Sequence, residues 1–187
     1  MVRGERIIVF LLTVVGFVGC TPNSPSVYRG LPKTYTTAYQ YIYGHCYDSI
    51  PYAVVALDLF SDGLELNENK KMVGTGYNLF LSDIFVPDSL LAEGEYKSIP
   101  QDSLSTFNFQ LSIFRFLPGR AFEGYPHGTY ILNIEDDRVK QIQLIDSGNM
   151  SYRNDSLLFT LYYKNIYGSK VTYKCSFHGT LIPWLKR

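Results

Sequence analysis

The sequence predicts an all-β protein: a single antiparallel domain of about eight or nine strands, folded as a sandwich or barrel-like sheet. Three observations predict it. Aromatic residues make up 16% of the 187 positions, 16 of them Tyr, and such side chains suit pleated surfaces more than helices. Apolar and polar residues alternate with a period of two over most segments. Gly, Pro, Asn and Asp interrupt these segments at short intervals, and no stretch carries an amphipathic helical period.

The elements follow in chain order. Ala38 to Tyr47 reads as an aromatic strand, with Tyr39, Tyr41, Tyr43, His45 and Tyr47 on one face and Gln40, Ile42, Gly44, Cys46 and Asp48 on the other. Ile50-Pro51 ends it, since Pro cannot donate to a ladder. Ala53 to Phe60 follows, with Val55, Leu57 and Leu59 on one side. Ser61-Asp62-Gly63 has turn composition, and Leu64 to Lys71 is polar enough for a loop. Gly74 to Phe85 alternates Tyr77, Leu79 and Leu81 against Asn78 and Ser82, and Pro87-Asp88 stops it. Leu90 to Ile99 turns through Gly94-Glu95-Tyr96 into a short strand. Phe107 to Phe116 sets Phe107, Phe109, Leu111 and Ile113 against Asn108, Gln110 and Ser112.

A loop opens at Pro118-Gly119 and closes at Pro126-His127-Gly128. Thr129 to Ile134 and Arg138 to Ile145 flank Glu135-Asp136-Asp137 as a hairpin. Leu157 to Tyr163 and Lys170 to Leu181 form a second one. In the last strand Val171, Tyr173, Cys175, Phe177 and Leu181 face the core, while Thr172, Lys174, Ser176, His178 and Thr180 face away. Such sheets bury one face and wet the other. An outer-membrane barrel would need a lipid-facing apolar band; the alternate faces here carry Lys, Asp, Asn and Ser.

Ahead of the domain, Arg3-Gly-Glu-Arg6 and the apolar run from Ile7 have the basic start and apolar core of a secretory signal. The run is too short to span a bilayer, which takes about 20 apolar residues. It ends in Phe17-Val18-Gly19-Cys20, which resembles the bacterial lipobox. The resemblance implies that residues 1–19 are a lipoprotein signal peptide that is removed. Cys20 then takes a diacylglyceryl group on its thiol and an acyl chain on its new amino group, making the lipid bilayer a partner. Two or more chains hold a protein on a membrane where one is marginal. An ordinary secretory signal cut at a nearby small residue is the alternative. Residues 20–34, with Thr21-Pro-Asn-Ser-Pro-Ser26, read as a Pro/Ser-rich tether, and 35–187 as the β domain.

The stretches Gly76-Tyr77-Asn78-Leu79-Phe80-Leu81-Ser82-Asp83, Leu91-Ala92-Glu93-Gly94-Glu95-Tyr96 and Gly128-Thr129-Tyr130, and the closing part from Ser147-Gly148-Asn149-Met150 through Leu161 to Phe177-His178-Gly179-Thr180-Leu181, resemble small, uncharacterised all-β lipoproteins of Bacteroidetes. The likeness implies a fold and no activity. Surface-displayed members often carry an acidic run after the Cys. None follows Cys20, which favours an outer-membrane anchor facing the periplasm over the cell surface.

Little chemistry stands out. Seventeen basic residues balance 17 acidic ones, and without a basic patch nucleic acid is not an implied partner. No nucleophile elbow, phosphate loop, His-Glu-x-x-His or Cys-x-x-Cys is present, so an enzyme is not expected and no catalytic residue, cofactor or metal is assigned. His45 and His178 would be neighbours if the first and last strands closed a sheet, but a zinc site would lack a third ligand. Acidic clusters at Asp62, Glu65 and Glu68 and at Glu135-Asp136-Asp137 read as solvated turns, without the ligand spacing of a calcium loop. Cys46 and Cys175 could form a disulfide if those same strands brought their Cα atoms within about 7 Å; two buried thiols are the alternative.

The expected function is a membrane-anchored, non-catalytic envelope lipoprotein, structural or binding a partner protein. The alternative is a glycan-binding module using Tyr39, Tyr41 and Tyr43 as an aromatic platform, which exposed rings would favour. Less favoured is a carrier of an apolar ligand, which needs an interior void.

Overall fold

A computed structural model describes residues 30–45, 52–88, 90–99 and 115–185. The expected signal peptide, Cys20, Cys46 and most of the strand expected from Phe107 lie outside these residues. The chain divides into two compact units, Met1–Gly30 and Leu31–Arg187; the fold described here is that of the second.

Sixteen strands, and no helix, occur among the described residues. The first half holds β1 (Thr34–Tyr35), β2 (Thr37–Gly44), β3 (Ala53–Phe60), β4 (Leu64–Leu66), β5 (Met72–Gly74), β6 (Gly76–Val86), β7 (Gly94–Ser98) and β8 (Arg115–Phe116). The second holds β9 (Arg120–Phe122), β10 (Tyr125–His127), β11 (Tyr130–Glu135), β12 (Arg138–Leu144), β13 (Ser147–Arg153), β14 (Ser156–Lys164), β15 (Lys170–His178) and β16 (Ile182–Leu185). They build two six-stranded sheets. Sheet I has the order β1-β15-β14-β13-β7-β8 and sheet II the order β12-β11-β6-β3-β2-β16, while β4–β5 and β9–β10 form separate two-stranded ribbons.

The expectation of an all-β sandwich is met in outline and corrected in detail. Neither sheet closes into a barrel, and both are mixed: β1 runs parallel to β15, β7 to β8, and β16 to β2. The strand count rises because the segment expected as a loop from Leu64 holds the β4–β5 ribbon, the loop expected from Pro118 holds the β9–β10 ribbon, β1 and β13 form in stretches read without a strand, and the last predicted strand breaks at Gly179. There φ is 145°, in the region that favours Gly, and the chain leaves sheet I to become β16 in sheet II. At the other end, Thr36 alone separates β1 in sheet I from β2 in sheet II. Ordered structure also begins before residue 35, since Leu31 packs on the core and Thr34 pairs with Ser176.

One apolar core fills the space between the sheets. Sheet II gives Val55, Leu57, Leu59, Leu79, Leu81, Ile84 and Ile131; sheet I gives Tyr96, Met150, Leu157, Phe159, Leu161, Tyr173, Cys175 and Phe177. The alternation read in β6 and β15 thus points its apolar members inward. All of β3 is buried, contrary to the expectation of one wet face, because the β4–β5 ribbon covers part of its outer side: Phe60, Leu64, Leu132 and Ile134 form a second cluster with Leu66 and Met72.

The tight turns Asp136-Asp137 and Asn154-Asp155 have positive φ at both residues, the geometry of two-residue hairpins that follow strand twist. The acidic turn is a structural joint: Asp137 Oδ1 accepts from Gly74 N–H at 2.5 Å, and Asp136 N–H donates to Thr75 Oγ1 at 3.1 Å.

Leu57 sits at the centre of the shared core with no exposure. Leu57→Ala should cost about 2–5 kcal/mol by cavity formation, read by urea unfolding. Leu158→Ala, on an exposed side chain, should stay within about 0.5 kcal/mol.

Candidate functional site

The side-chain period of two places Tyr39, Tyr41 and Tyr43 of β2 on the outer face of sheet II. Residues directly paired across strands share a face, so the register defines one row across this surface: Tyr130 of β11, Phe80 of β6, Asp58 of β3, Tyr39 of β2 and Ile182 of β16. A lone carboxyl thus lies in the middle of an aromatic face.

Asp58 is only 8% exposed. Tyr41 donates its hydroxyl to Asp58 Oδ2 at 3.1 Å, and the Asn78 amide donates to Asp58 Oδ1 and to the Leu59 carbonyl. Burial pushes the Asp58 carboxyl up from 3.8 to about 6, with the bonds from Asn78 and Tyr41 pulling the other way. Burial, and then the Asp58 charge, push the Tyr41 phenol upward; burial, then Asp58 and Tyr43, raise Tyr130 to about 12.

Tyr39 and Tyr41 are packed rather than displayed. Tyr39 meets Phe60 edge-on at 5.7 Å and Trp184 at 5.3 Å. Tyr41 lies tilted on Trp184 at 5.8 Å, and Lys70 Nζ caps the Trp184 ring at 4.8 Å. Tyr43 differs. At 39% exposure it lines a cleft of about 270 Å³ with Phe80, Asp83, His127 and Tyr130.

Two irregularities on either side of β3 shape this cleft. Register shifts between Ile42 and Gly44, which leaves Tyr43 as an extra residue. On the other side Ile84 pairs with Val55 and Leu81 with Leu57, so Ser82 and Asp83 lie opposite Ala56 alone. Asp83 has φ of 51°, and its carboxylate accepts from Ser82 Oγ at 2.7 Å. Such bulges bend a strand and re-aim its side chains, often beside a site. The β9–β10 ribbon supplies the third wall. It is rooted at Gly128, whose φ of 75° and lack of a Cβ let Pro118 O approach where a methyl group would sit at 1.9 Å. Phe80 and Tyr130 lie 5.2 Å apart and tilted by 33° on the floor.

The remaining sequence candidates do not gather here. His178 ends β15 and lies 3.0 Å from Ser156 Oγ, whereas His45 follows the far end of β2 in the other sheet. The strand adjacency needed to bring them together is therefore not present: β2 pairs with β3 and β16, and β15 with β14 and β1. Cys175 is a buried thiol pushed up to about 12 by burial; Cys46, the other member of the possible disulfide, lies outside the described residues. Asp58 was legible as the one charge in the run Ala53-Val-Val-Ala-Leu-Asp-Leu-Phe60. Phe80, Asp83, Tyr130 and Trp184 join the surface only through register.

Because the Asp58 carboxyl binds its proton more tightly in the folded than in the unfolded state, its contribution to stability is full below pH 3.8 and is lost as pH rises through about 6. Asp58→Asn should flatten that part of the stability–pH curve, by roughly 2–3 kcal/mol between pH 4 and 7, read by denaturant midpoints.

No protein-family model, curated protein or solved structure matches this chain.

Proposed function

We propose that the chain is a non-catalytic envelope lipoprotein, held on the outer membrane by acyl groups at Cys20 and facing the periplasm, and that it recognises a glycan in the cleft beside Tyr43. The observation that carries the glycan reading is the exposure of Tyr43 above the tilted Phe80–Tyr130 pair. Sugar rings present C–H faces that lie on aromatic rings, and hydroxyls that need fixed polar partners. The cleft offers both: the tilted rings of Phe80 and Tyr130 as an apolar floor, and Asp83, Ser82, His127 and the Tyr43 phenol around it. Tyr43, Ser82 and Asp83 are set at strand bulges and His127 on a paired ribbon, which limits the ordering cost of binding. The Bacteroidetes lipoprotein resemblance and the lipobox support the address, and the neutral charge balance fits an uncharged or weakly charged ligand.

Two experiments test the two halves. Cys20→Ala should abolish incorporation of labelled fatty acid in cells; retained label would remove the anchor. The detergent-solubilised full chain should be retained by an array of envelope glycans, and Tyr43→Ala should weaken that binding by roughly 5–10-fold, the loss of about 1 kcal/mol of ring contact. Absence of any retained glycan would favour a protein partner instead.

A further inference from the structure

We propose that the end of the domain where β14 turns into β15 rests on the lipid bilayer, with Ile166 and Tyr167 set into the headgroup boundary. This rests on the anchor at Cys20.

The turn from Asn165 to Ser169 displays the two most exposed large apolar side chains among the described residues, Ile166 at 82% and Tyr167 at 85%. Its shape is fixed. Asn165 Oδ1 accepts from the N–H groups of Tyr167 and Ser169, both at 3.0 Å, and Gly168 N–H donates to Asn165 O at 2.9 Å. The backbone that presents these side chains is therefore already ordered. Lys164 and Lys170 flank the turn as the last pair of the hairpin. An aliphatic and a phenolic side chain between two lysines match the boundary of a bilayer, where Tyr sits at headgroup depth and Lys meets anionic lipid.

A second ribbon is rooted at the same end. Gly119 N–H donates to Ile145 O and Ile145 N–H to Thr129 O, beside Asp146 N–H on Tyr162 O. It carries exposed Phe122 and Tyr125 (54% and 72%). The turns at the opposite end carry exposed charges of both signs, Asp62, Glu68, Glu93, Asp136, Asp137 and Asp155 beside Lys70, Lys71, Arg138 and Arg153, rather than paired apolar tips. At the first end anionic headgroups attract Lys164 and Lys170 on either side of the apolar turn.

The entering chain selects the same end. β1 runs parallel to β15, so tracing it backward climbs from Ser176, bonded to Lys33 O, to Tyr173, whose hydroxyl donates to Pro32 O. From there Lys170 is roughly 10 Å further, and the residues between Cys20 and Leu31 can reach at most roughly 40 Å. An anchored chain that enters from this side holds the turn near the membrane at high effective concentration, so a contact too weak for a free protein becomes populated.

The test uses the full chain, reconstituted in phosphatidylethanolamine–phosphatidylglycerol vesicles, with acylation of Cys20 read by mass on the same sample. Tyr167→Trp adds a reporter, and Trp184 alone gives the baseline. The added emission should shift to the blue and be quenched by brominated lipid; Ile166→Asp on that background should lower the docked-to-free ratio by about tenfold or more. In the unsubstituted protein, amide exchange over residues 164–170 should slow on transfer from detergent to vesicles, and that over 152–156 should not. An acylated Cys20 with no quenching, or with no slowing at 164–170, overturns the docking and leaves the anchor standing. An unacylated Cys20 overturns both.

Discussion

Strand β3 is buried along its whole length, and most other features answer to that. A strand with apolar side chains on both faces must be covered twice. Sheet I covers the inner face through Val55, Leu57 and Leu59; the outer face, with Phe60 and Asp58, is covered by the β4–β5 ribbon and by rings from neighbouring strands. The architecture is thus a two-sheet core with a smaller apolar layer on the outside of one sheet.

The aromatic surface follows from that layer. Asp58 interrupts it at the centre of sheet II, and a carboxyl removed from water is tolerated only when hydrogen-bonded. Tyr41 and Asn78 meet that need, which ties two of the flanking strands to β3. Tyr39 and Tyr41 are consequently structural. Beyond them the bulges at Tyr43 and Ser82-Asp83 break the ladder, the layer opens, and the cleft begins.

The terminal strands give the domain its polarity. β1 joins sheet I just before the chain crosses to sheet II, and β16 joins sheet II just after it leaves sheet I. Both sheets are thereby laced along one edge, and the direction of chain entry is fixed relative to the hairpin ends. One end gathers the exposed apolar tips Ile166, Tyr167, Phe122 and Tyr125, and the other turns of mixed charge.

By itself the sequence determined the class of fold, the inward faces of β6 and β15, and the hairpin at Asp136-Asp137, because period-two alternation and turn chemistry are local. The apolar residues on both faces of β3 carried a signal of double coverage that alternation alone did not expose, and Asp58 was the one charge within that run. Tertiary structure alone decided the rest. The parallel pairings of β1 and β16 and the separation of His45 from His178 depend on strand order. So does the assembly of Tyr43, Phe80, Asp83 and Tyr130 into one cleft. Strand order is set by which faces bury together across the whole chain, and alternation along one segment does not encode its neighbour.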